Sequence, residues 1–488
     1  MEDKLVKSVL LGPVKTHKHA NANFEAKKYL SSLTKLRLPL DAKFLSKKTA
    51  TSGVNNIKLD IEPYQFEELD ELRTKLFNIP LCEAYKYLNK TRHKNMVPIL
   101  DGFTRGVSNL INDKYPQLYK ISNAYVKLWE IYETFDWLLS KPKSSTPNPQ
   151  INFFHMAEAP GQWINTTNHY FNQHMPENMR YNWFANTLNL KHPRMKGIIN
   201  ALPDNYGFIK QHPKKWIYGA DGSGDITFAE NVAWFNDFLL REIPDNLDII
   251  TGDAGTSQSE TDIELLQRID ISQSIVVACV ARPGSSCIIK HFLPYLKPKS
   301  TTKMADGFFY SFMYLYHILF AEFHMFKPLA SSPGSGEFYV VASGFHGITQ
   351  QQRKLLLDYQ SSFTINKPMF DKQDMPESFI TKVSQFIIEL QEIVIFNDKV
   401  SCELIDYCYG PESGNKTDDC NFGVDTKLFF AEKELDLEQY LDKYRIARID
   451  KLKNRTLKNK HNKHNNHNKH HKHHNQTKLK HTSKAKKS

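Results

Sequence analysis

The chain has 488 residues, of which 40% are hydrophobic and 12% aromatic, and its formal net charge is +11. This length and composition exclude a small disulfide-stabilised scaffold and fit a globular protein of two or three domains. The positive charge lies at one end, because residues 451–488 contain twelve Lys and one Arg and no acidic residue. The rest of the chain is therefore close to neutral.

The six cysteines are far apart and form no CxxC pair. This spacing favours neither a disulfide framework nor a regular zinc site, so we expect reduced thiols, an intracellular protein and no metal. The N-terminal residues have only a short apolar patch followed by charge, which is not typical of a signal peptide. The uncharged run 308–321 is shorter than the about 20 residues that cross a bilayer, so we expect a buried helix and no membrane span.

Residues 1–60 are basic and weakly periodic, and no structure is predicted for them. A helical N-terminal extension is expected over 61–119. At the start of the following segment, 120–345, Leu128, Ile131, Tyr132 and Phe135 recur at helical spacing and would face a core. The stretch KPKSSTPNPQ, residues 141–150, then interrupts the helix with three prolines.

Short apolar runs alternate with helical stretches between residues 151 and 345. The predicted strands are Ile151–Ala157, Tyr181–Ala185, Lys215–Tyr218, Leu247–Thr251, Ser286–Phe292 and Phe338–Ala342. Residues 228–243 and 260–269 have helical patterns. This alternation predicts an α/β sheet with helices on both faces, whose ligands bind beyond the carboxyl ends of the strands.

Residues 346–450 are predicted to be mainly helical, as an extension or a second small domain, with apolar helices at 377–396 and 433–450. The tail, 451–488, is rich in Lys, Asn and His and nearly lacks apolar residues, so it is expected to be disordered. Three interpretations of the tail remain open: an arm that binds nucleic-acid phosphates, a metal-binding histidine tract, and a merely solvated segment.

The stretch AEAPGQW, residues 157–163, follows the first predicted strand and leads into a helix. Its small residues let the backbone approach a ligand, and the helix start offers unpaired N–H groups. The stretch lacks the spacing of a dinucleotide site or a P-loop, which disfavours nicotinamide cofactors and ATP. An ordinary strand-to-helix turn is the alternative.

A second candidate is the loop GADGSGD, residues 219–225, after the predicted strand at 215–218. Either Asp221 or Asp225 could accept hydrogen bonds from a ribose or an adenine amino group. A calcium loop is a weaker interpretation, because the later ligands of an EF-hand are absent.

Three further positions lie in or beside predicted strands. Asp253 ends the apolar run DIITGD, where a carboxylate would be held over a pocket, although a helix cap is the common alternative. Lys290 interrupts the apolar strand CIIKHF, and lysine is rarely buried unless paired or functional. In a low-dielectric pocket near other cations its pKa would fall, which would suit a general base; an edge-strand lysine reaching water is the alternative. Glu337 begins FYVVA and could pair with a lysine, or be an ordinary strand-end acid.

Taken in order, AYVKLWEI, HMAEAPGQW, DIITGDAG, CIIKHF and SGEFYVVASG resemble the FtsJ-like ribose 2′-O-methyltransferases, with the closest match to the branch of cap methyltransferases and large DNA viruses. The resemblance covers residues 120–345. It implies a Rossmann-like S-adenosylmethionine-dependent methyltransferase sheet with helical N- and C-terminal extensions. It also implies a catalytic tetrad of Lys127, Asp253, Lys290 and Glu337.

In that resemblance, neutral Lys290 steers the proton of a ribose 2′-hydroxyl, Lys127 and Asp253 position the hydroxyl, and Glu337 orients a lysine. The implied S-adenosylmethionine-binding residues are Glu158, Ala159, Pro160, Gly161, Gln162, Trp163, Asp221, Asp225 and Asp253. Two positions depart from the family pattern. His155 replaces a usual acidic residue, which removes one expected cofactor hydrogen bond, and Gln162 replaces a usual glycine, which would narrow the space beside the methionine moiety.

The sequence therefore predicts an S-adenosylmethionine-dependent RNA ribose 2′-O-methyltransferase that acts on cap-proximal nucleotides of mRNA. An rRNA or tRNA 2′-O-methyltransferase and a catalytically silent RNA-binding or structural subunit are the alternatives. The expected partners are capped mRNA and other capping or transcription proteins. The expected location is cytoplasmic, with association with the virion if the source is a virus.

Overall fold

The computed structural model describes residues 121–139, 149–195, 202–244, 246–255, 263–293, 306–328, 330–331, 335–364 and 367–391, together with Ser108 and Asn112. The predictions for residues 1–60, for most of 61–119, for 392–450 and for the tail 451–488 lie outside this part of the chain.

The described residues form a seven-stranded sheet with the order β3-β2-β1-β4-β5-β7-β6. Its strands are β1 (Gln150–Met156), β2 (Arg180–Asn186), β3 (Trp216–Ile217), β4 (Ile249–Gly252), β5 (Ser286–Phe292), β6 (Phe320–Phe326) and β7 (Glu337–Phe345). Strands β1 to β5 pair in parallel, whereas β7 is antiparallel to both β5 and β6. The central strands are buried on both faces, which explains their continuous apolar runs.

The helices are α1 (Asn123–Thr134), α2 (Gln162–His174), α3 (Phe208–Gln211), α4 (Ala229–Glu242), α5 (Ile263–Val280), α6 (Asp306–Leu319), α7 (Gln350–Ser361) and α8 (377–391). We call the face of the sheet that packs against α1 and α2 the front face; Phe153 and Ile288 belong to it. The back face, which includes Phe154 and Ile289, packs against α4 to α8. Two helical layers around one sheet confirm the predicted α/β class with a Rossmann-like sheet.

Most predicted strands are present within a residue or two of their predicted ends, and β5 has the predicted bounds. Strand β6 was not predicted, because α6 ends at Leu319 and β6 begins at Phe320 without an intervening turn. The apolar residues run on through this junction, so neither composition nor a breaker residue marks it. Helix α5 is also longer than predicted, since it continues to Val280.

Helices α7 and α8 follow the last strand and pack on the back face. The side chain of Thr349 caps the start of α7 by accepting a hydrogen bond from the Gln352 N–H. In α8, Phe386 is fully buried, and its ring lies 5.2 Å from that of Phe338 in β7. The C-terminal helical segment over 350–391 therefore shares one hydrophobic cluster with the sheet. In the described part of the chain, none of the helices is long and apolar enough to cross a membrane.

Candidate active site

The four residues of the predicted tetrad come from four elements that meet at one edge of the sheet. Lys127 lies in α1, Asp253 directly follows β4, Lys290 lies in β5 and Glu337 begins β7. Lys290 pairs with Tyr339 across the β5–β7 ladder, and the register places Glu337 two residues away on the same strand. Because side chains alternate along a strand, Lys290, Tyr339 and Glu337 share one face of the sheet.

The four side chains form two short ion pairs. Lys127 Nζ lies 2.6 Å from Glu337 Oε1, and Lys290 Nζ lies 2.9 Å from Asp253 Oδ1. Lys290 Nζ also donates to the backbone carbonyl of Asp253 at 2.9 Å. All four side chains are largely buried, with exposed fractions between 10% and 21%. The structure therefore brings together every residue of the predicted tetrad.

The carboxylate of Glu337 is surrounded by three lysine side chains. Burial alone would raise the pKa of its carboxyl, but the charges of Lys127, Lys290 and Lys327, together with the hydrogen bond from Lys127, lower it to about 2. Ser331 Oγ donates a further hydrogen bond to Glu337 Oε1 at 2.8 Å. The carboxylate is therefore held ionised and in a fixed orientation.

Lys290 differs from the expectation in its protonation. Burial acts to lower its pKa, but Asp253, Glu337 and Asp270 and the hydrogen bond to Asp253 outweigh burial and raise it. The expected fall in the pKa of Lys290 is thus wrong for the site as described. The reason is that anionic groups, rather than cations, are its dominant neighbours. Lys290 is an ammonium ion here.

Two residues near the tetrad were missed in the sequence. The Tyr339 hydroxyl lies 3.5 Å from Asp253 Oδ1 and 3.4 Å from Glu337 Oε1, and burial followed by the charges of Glu337 and Asp253 raises its pKa. Tyr339 is therefore a hydrogen-bond donor. Lys327 is fully buried, and its Nζ donates to the carbonyl of Glu337 at 2.9 Å. The alternation of β7 would have indicated Tyr339, two residues after Glu337.

The AEAPGQW turn connects β1 to α2. Glu158 is buried, and its Oε1 accepts hydrogen bonds from the N–H groups of Trp163 and Ile164 at 2.8 and 2.9 Å. Its carboxylate therefore supplies the hydrogen-bond acceptor for backbone N–H groups that have no partner within the first turn of α2. Gly161 has φ +104°, and a Cβ there would lie 2.5 Å from the Phe208 ring, so only glycine fits. Ala159 and Pro160 complete the turn through a cis peptide bond.

The side chains of Gln162 and Trp163 are directed at α1. Gln162 Oε1 accepts a hydrogen bond from the N–H of Ser122, the residue before α1, at 3.1 Å. The Trp163 indole donates to the Ala124 carbonyl at 3.0 Å. Both contacts tie the turn to the helix that carries Lys127.

His155, the other departure from the family pattern, is fully buried in β1. Its Nδ1 lies 2.7 Å from Thr251 Oγ1 and its Nε2 2.7 Å from the Tyr181 hydroxyl, so both ring nitrogens have partners within the sheet. Burial lowers its pKa to about 3. His155 is therefore a neutral histidine of the front-face core.

The acidic loop lies beside the turn. Asn186, at the end of β2, accepts the Glu158 N–H at its carbonyl and donates from Nδ2 to the Gly224 carbonyl at 3.1 Å. Asn186 was not singled out in the sequence. A Cβ at Gly224, whose φ is +76°, would lie 1.9 Å from the Thr187 carbonyl oxygen. The loop is thus held against the carboxyl end of β2.

The two acids of this loop have different surroundings. Asp221 pairs with Arg194 at 3.0 Å. Burial acts to raise the pKa of Asp221, but hydrogen bonds from Ser223 and Asn231 and the charge of Arg194 lower it. Asp225 Oδ1 accepts the Thr227 N–H at 2.9 Å. The ends of β1, β2, β3 and β4 thus present the turn, Asn186, this loop and Asp253 at one edge of the sheet.

Comparison with known proteins bears on this arrangement. The family model described as FtsJ-like methyltransferase matches residues 121–345. We call this segment, which is less than half of the chain, the FtsJ-like segment. The match includes all four residues of the tetrad, the AEAPGQW turn and the acidic loop. Helices α7 and α8 lie beyond the FtsJ-like segment.

Curated relatives extend the likeness. An uncharacterized protein of Acanthamoeba polyphaga mimivirus is 28% identical over 264 residues, which are 52% of this chain and 30% of the relative. The Drosophila melanogaster cap-specific mRNA (nucleoside-2′-O-)-methyltransferase 2 is 24% identical over 330 residues, 65% of this chain and 43% of the relative. A probable methyltransferase of African swine fever virus is 22% identical over 371 residues, 73% of this chain and 76% of the relative.

These relatives confirm the predicted resemblance to the FtsJ-like family and to its cap-methyltransferase and large-DNA-virus members. The chain spans less than half the length of the mimivirus and Drosophila proteins.

Proposed function

We propose that this protein transfers a methyl group from S-adenosylmethionine to the 2′-hydroxyl of a ribose in RNA, and that its substrates are the cap-proximal nucleotides of mRNA. The observation that carries the proposal is the convergence of Lys127, Asp253, Lys290 and Glu337 through two ion pairs of 2.6 and 2.9 Å. The FtsJ-like segment and the cap-specific relatives support the choice of RNA and of the cap.

The turn and the acidic loop fit S-adenosylmethionine. Both lie at the carboxyl edge of the sheet, where ligands of such sheets bind, and Gly161 and Gly224 give their backbones the positive φ that these tight paths require. Glu158 and Gln162 hold this backbone, and Ala159, Pro160 and Trp163 complete it. We assign Asp225 as the acceptor for the adenosine. Asp221, paired with Arg194, supports the loop.

Bound S-adenosylmethionine supplies an electrophilic methyl group on a positively charged sulfonium. Lys290 handles the proton of the attacking hydroxyl. Its ammonium form has no lone pair, so methyl transfer requires the neutral form, which nearby positive charge favours and which Asp253 and Glu337 oppose. Lys127 and Asp253 orient the hydroxyl, and Glu337 fixes Lys127. Alignment and electrostatics supply most of the acceleration.

The test uses the full chain, S-adenosylmethionine with a labelled methyl group, and one RNA sequence in capped and uncapped forms. We expect label in the 2′-O-methyl position of a cap-proximal nucleotide of the capped RNA. Label in uncapped structured RNA instead would indicate an rRNA or tRNA enzyme. RNA binding without transfer would indicate a silent subunit.

The same assay tests Lys290. We expect Lys290→Ala to abolish transfer while leaving the affinity for S-adenosylmethionine unchanged in calorimetry. Lys354→Ala is the matched control, since Lys354 is an exposed lysine of α7. Transfer by Lys290→Ala at the wild-type rate would contradict the proposed chemistry.

A further inference from the structure

Strands β4 and β5 separate at the point where the tetrad begins. The last paired residues of their ladder are Gly252 and Ile289. The next residue of one strand is Asp253, which leaves the sheet, and the next of the other is Lys290, which continues in β5 and pairs with Tyr339 on its other side. The backbone groups that face this fork therefore need partners other than the neighbouring strand.

The side chain of Gln273, from α5 on the back face, fills the fork. Its Oε1 accepts the Ala254 N–H at 3.2 Å, and its Nε2 donates to the Lys290 carbonyl at 3.0 Å. Gln273 is fully buried. A carboxamide carries the same donor and acceptor as a peptide group, so Gln273 replaces the rung that β4 no longer supplies.

The fork is also shaped by steric fit. A Cβ at Gly252 would lie 2.8 Å from Gln273 Oε1, so the last residue of β4 has to be small for the carboxamide to enter. On the opposite side of the fork, Lys290 Nζ contacts both Asp253 Oδ1 and the Asp253 carbonyl. The distance between the ends of β4 and β5 at the fork therefore sets the distance between Asp253 and Lys290.

We infer that Gln273 is a positioning residue of the methyl-transfer site: its carboxamide holds the Asp253 turn and the Lys290 strand at the distance that their ion pair requires. The inference rests on the proposed function only for its effect on catalysis. The effect on Lys290 itself is a property of the fold and can be measured without methyl transfer.

The charge environment of Lys290 makes the effect measurable. Within the part of the chain that the structure describes, the charge of Lys290 is influenced by Asp253 after β4, by Glu337 in β7 and by Asp270 in α5. Tyr339 pairs with Lys290 across the ladder, and Lys127 of α1 acts through Glu337. A methionine at position 273 has nearly the volume of glutamine but cannot bridge the fork. The contact between Lys290 and Asp253 then lengthens, and Lys290 loses part of the charge attraction that keeps it protonated.

The experiment measures the titration of Lys290 directly. The full chain is labelled with acetic anhydride over a range of pH, and mass spectrometry follows acetylation of Lys290, with exposed Lys354 as the internal standard. We expect Gln273→Met to lower the Lys290 midpoint by about one pH unit, a tenfold change in proton affinity. The control is Gln360→Met, because Gln360 is another buried glutamine, bonded to the Ile226 carbonyl at 2.8 Å.

An unchanged midpoint in Gln273→Met would overturn the inference, as would an equal shift in Gln360→Met. If Gln273→Met does not fold, Gln273→Asn, which keeps the amide but is one methylene shorter, takes its place with the same criteria.

The kinetic measurement follows on capped RNA. We expect kcat to fall roughly 10- to 100-fold in Gln273→Met, with the KM for S-adenosylmethionine within about twofold of wild type. The pH–rate profile of Gln273→Met should shift to lower pH, as the Lys290 labelling midpoint does. A loss confined to thermal stability, with kcat and pH profile unchanged, would contradict a positioning role. If wild-type protein methylates none of the RNAs, the proposed function fails, and labelling still decides the position of Lys290.

Discussion

The two faces of the sheet use buried polar residues differently. At the carboxyl edge of the front face, the two ion pairs are partly exposed and leave lysines and carboxylates able to meet a ligand. On the back face, the His291–Asp270 pair is almost fully buried, with His291 also 3.0 Å from the Tyr316 hydroxyl. The front edge thus holds the partly exposed charged groups on which the proposed chemistry depends, whereas the back face is packed around a buried pair.

The largest expected effect is on the back face. Phe386→Ala in α8 should lower the free energy of unfolding by about 3–5 kcal/mol, because the truncation leaves a cavity beside Phe338. Chemical denaturation measures this value, and Leu240→Ala, at an exposed position of α4, is the control. A change below about 0.5 kcal/mol, as expected for surface positions, would contradict the view that α8 is part of the core.

The next effect is on the front edge. Glu337→Gln removes the partner of Lys127 and one of the anionic groups that keep Lys290 protonated. We expect kcat to fall about 100-fold through misalignment. The rising limb of the pH–rate profile should move to lower pH, because the pKa of Lys290 falls. Glu264→Gln, at an exposed residue of α5, is the control. A shift to higher pH would contradict the assigned role of the Lys290 neutral form.

A smaller effect concerns His155, which is fully buried on the front face near the carboxyl end of β1. Its pKa is about 3 in the folded protein against 6.5 ordinarily, so between these values the unfolded chain binds a proton that the folded chain does not. Stability therefore falls as pH falls through this window, by up to about 1.4 kcal/mol per pH unit. His155→Gln should reduce that slope in denaturation series between pH 6 and pH 4. An unchanged slope would show that His155 titrates normally.

The smallest effect is on the loop of Asp225. Asp225→Ala should weaken binding of S-adenosylmethionine by about tenfold, the amount expected for one hydrogen bond to a charged group. Calorimetry measures the affinity, and Asp237→Ala, at an exposed position of α4, should leave it unchanged. Equal affinity in both variants would remove Asp225 from the proposed cofactor site.

Much of this arrangement was predictable from the sequence where the signal is local. The run CIIKHF gave the bounds of β5, because a short β-branched segment after a turn has few alternatives. Strand β6 was not predictable, because the apolar pattern of α6 continues into it. The motif order singled out Lys127 and Glu337, which the structure brings within 2.6 Å of each other although they lie near opposite ends of the FtsJ-like segment.

The protonation of Lys290 and the role of Gln273 were not predictable. Each depends on distances between residues that are remote in the chain, such as the 2.9 Å between Lys290 Nζ and Asp253 Oδ1. A sequence pattern shows that a lysine is buried in a strand, but not which charges surround it. Gln273 lies in a helix whose pattern shows no chemistry, and only the fork between β4 and β5 reveals its partners.

The ion pair between Lys127 and Glu337 has a consequence for synthesis of the protein. Domains fold as units while the chain emerges from the ribosome, N-terminal parts first. Lys127 emerges early, whereas its partner begins the last strand of the FtsJ-like segment. A chain truncated before Glu337 therefore lacks a paired Lys127. The four side chains of the predicted tetrad can therefore come together only after nearly the whole segment has been translated.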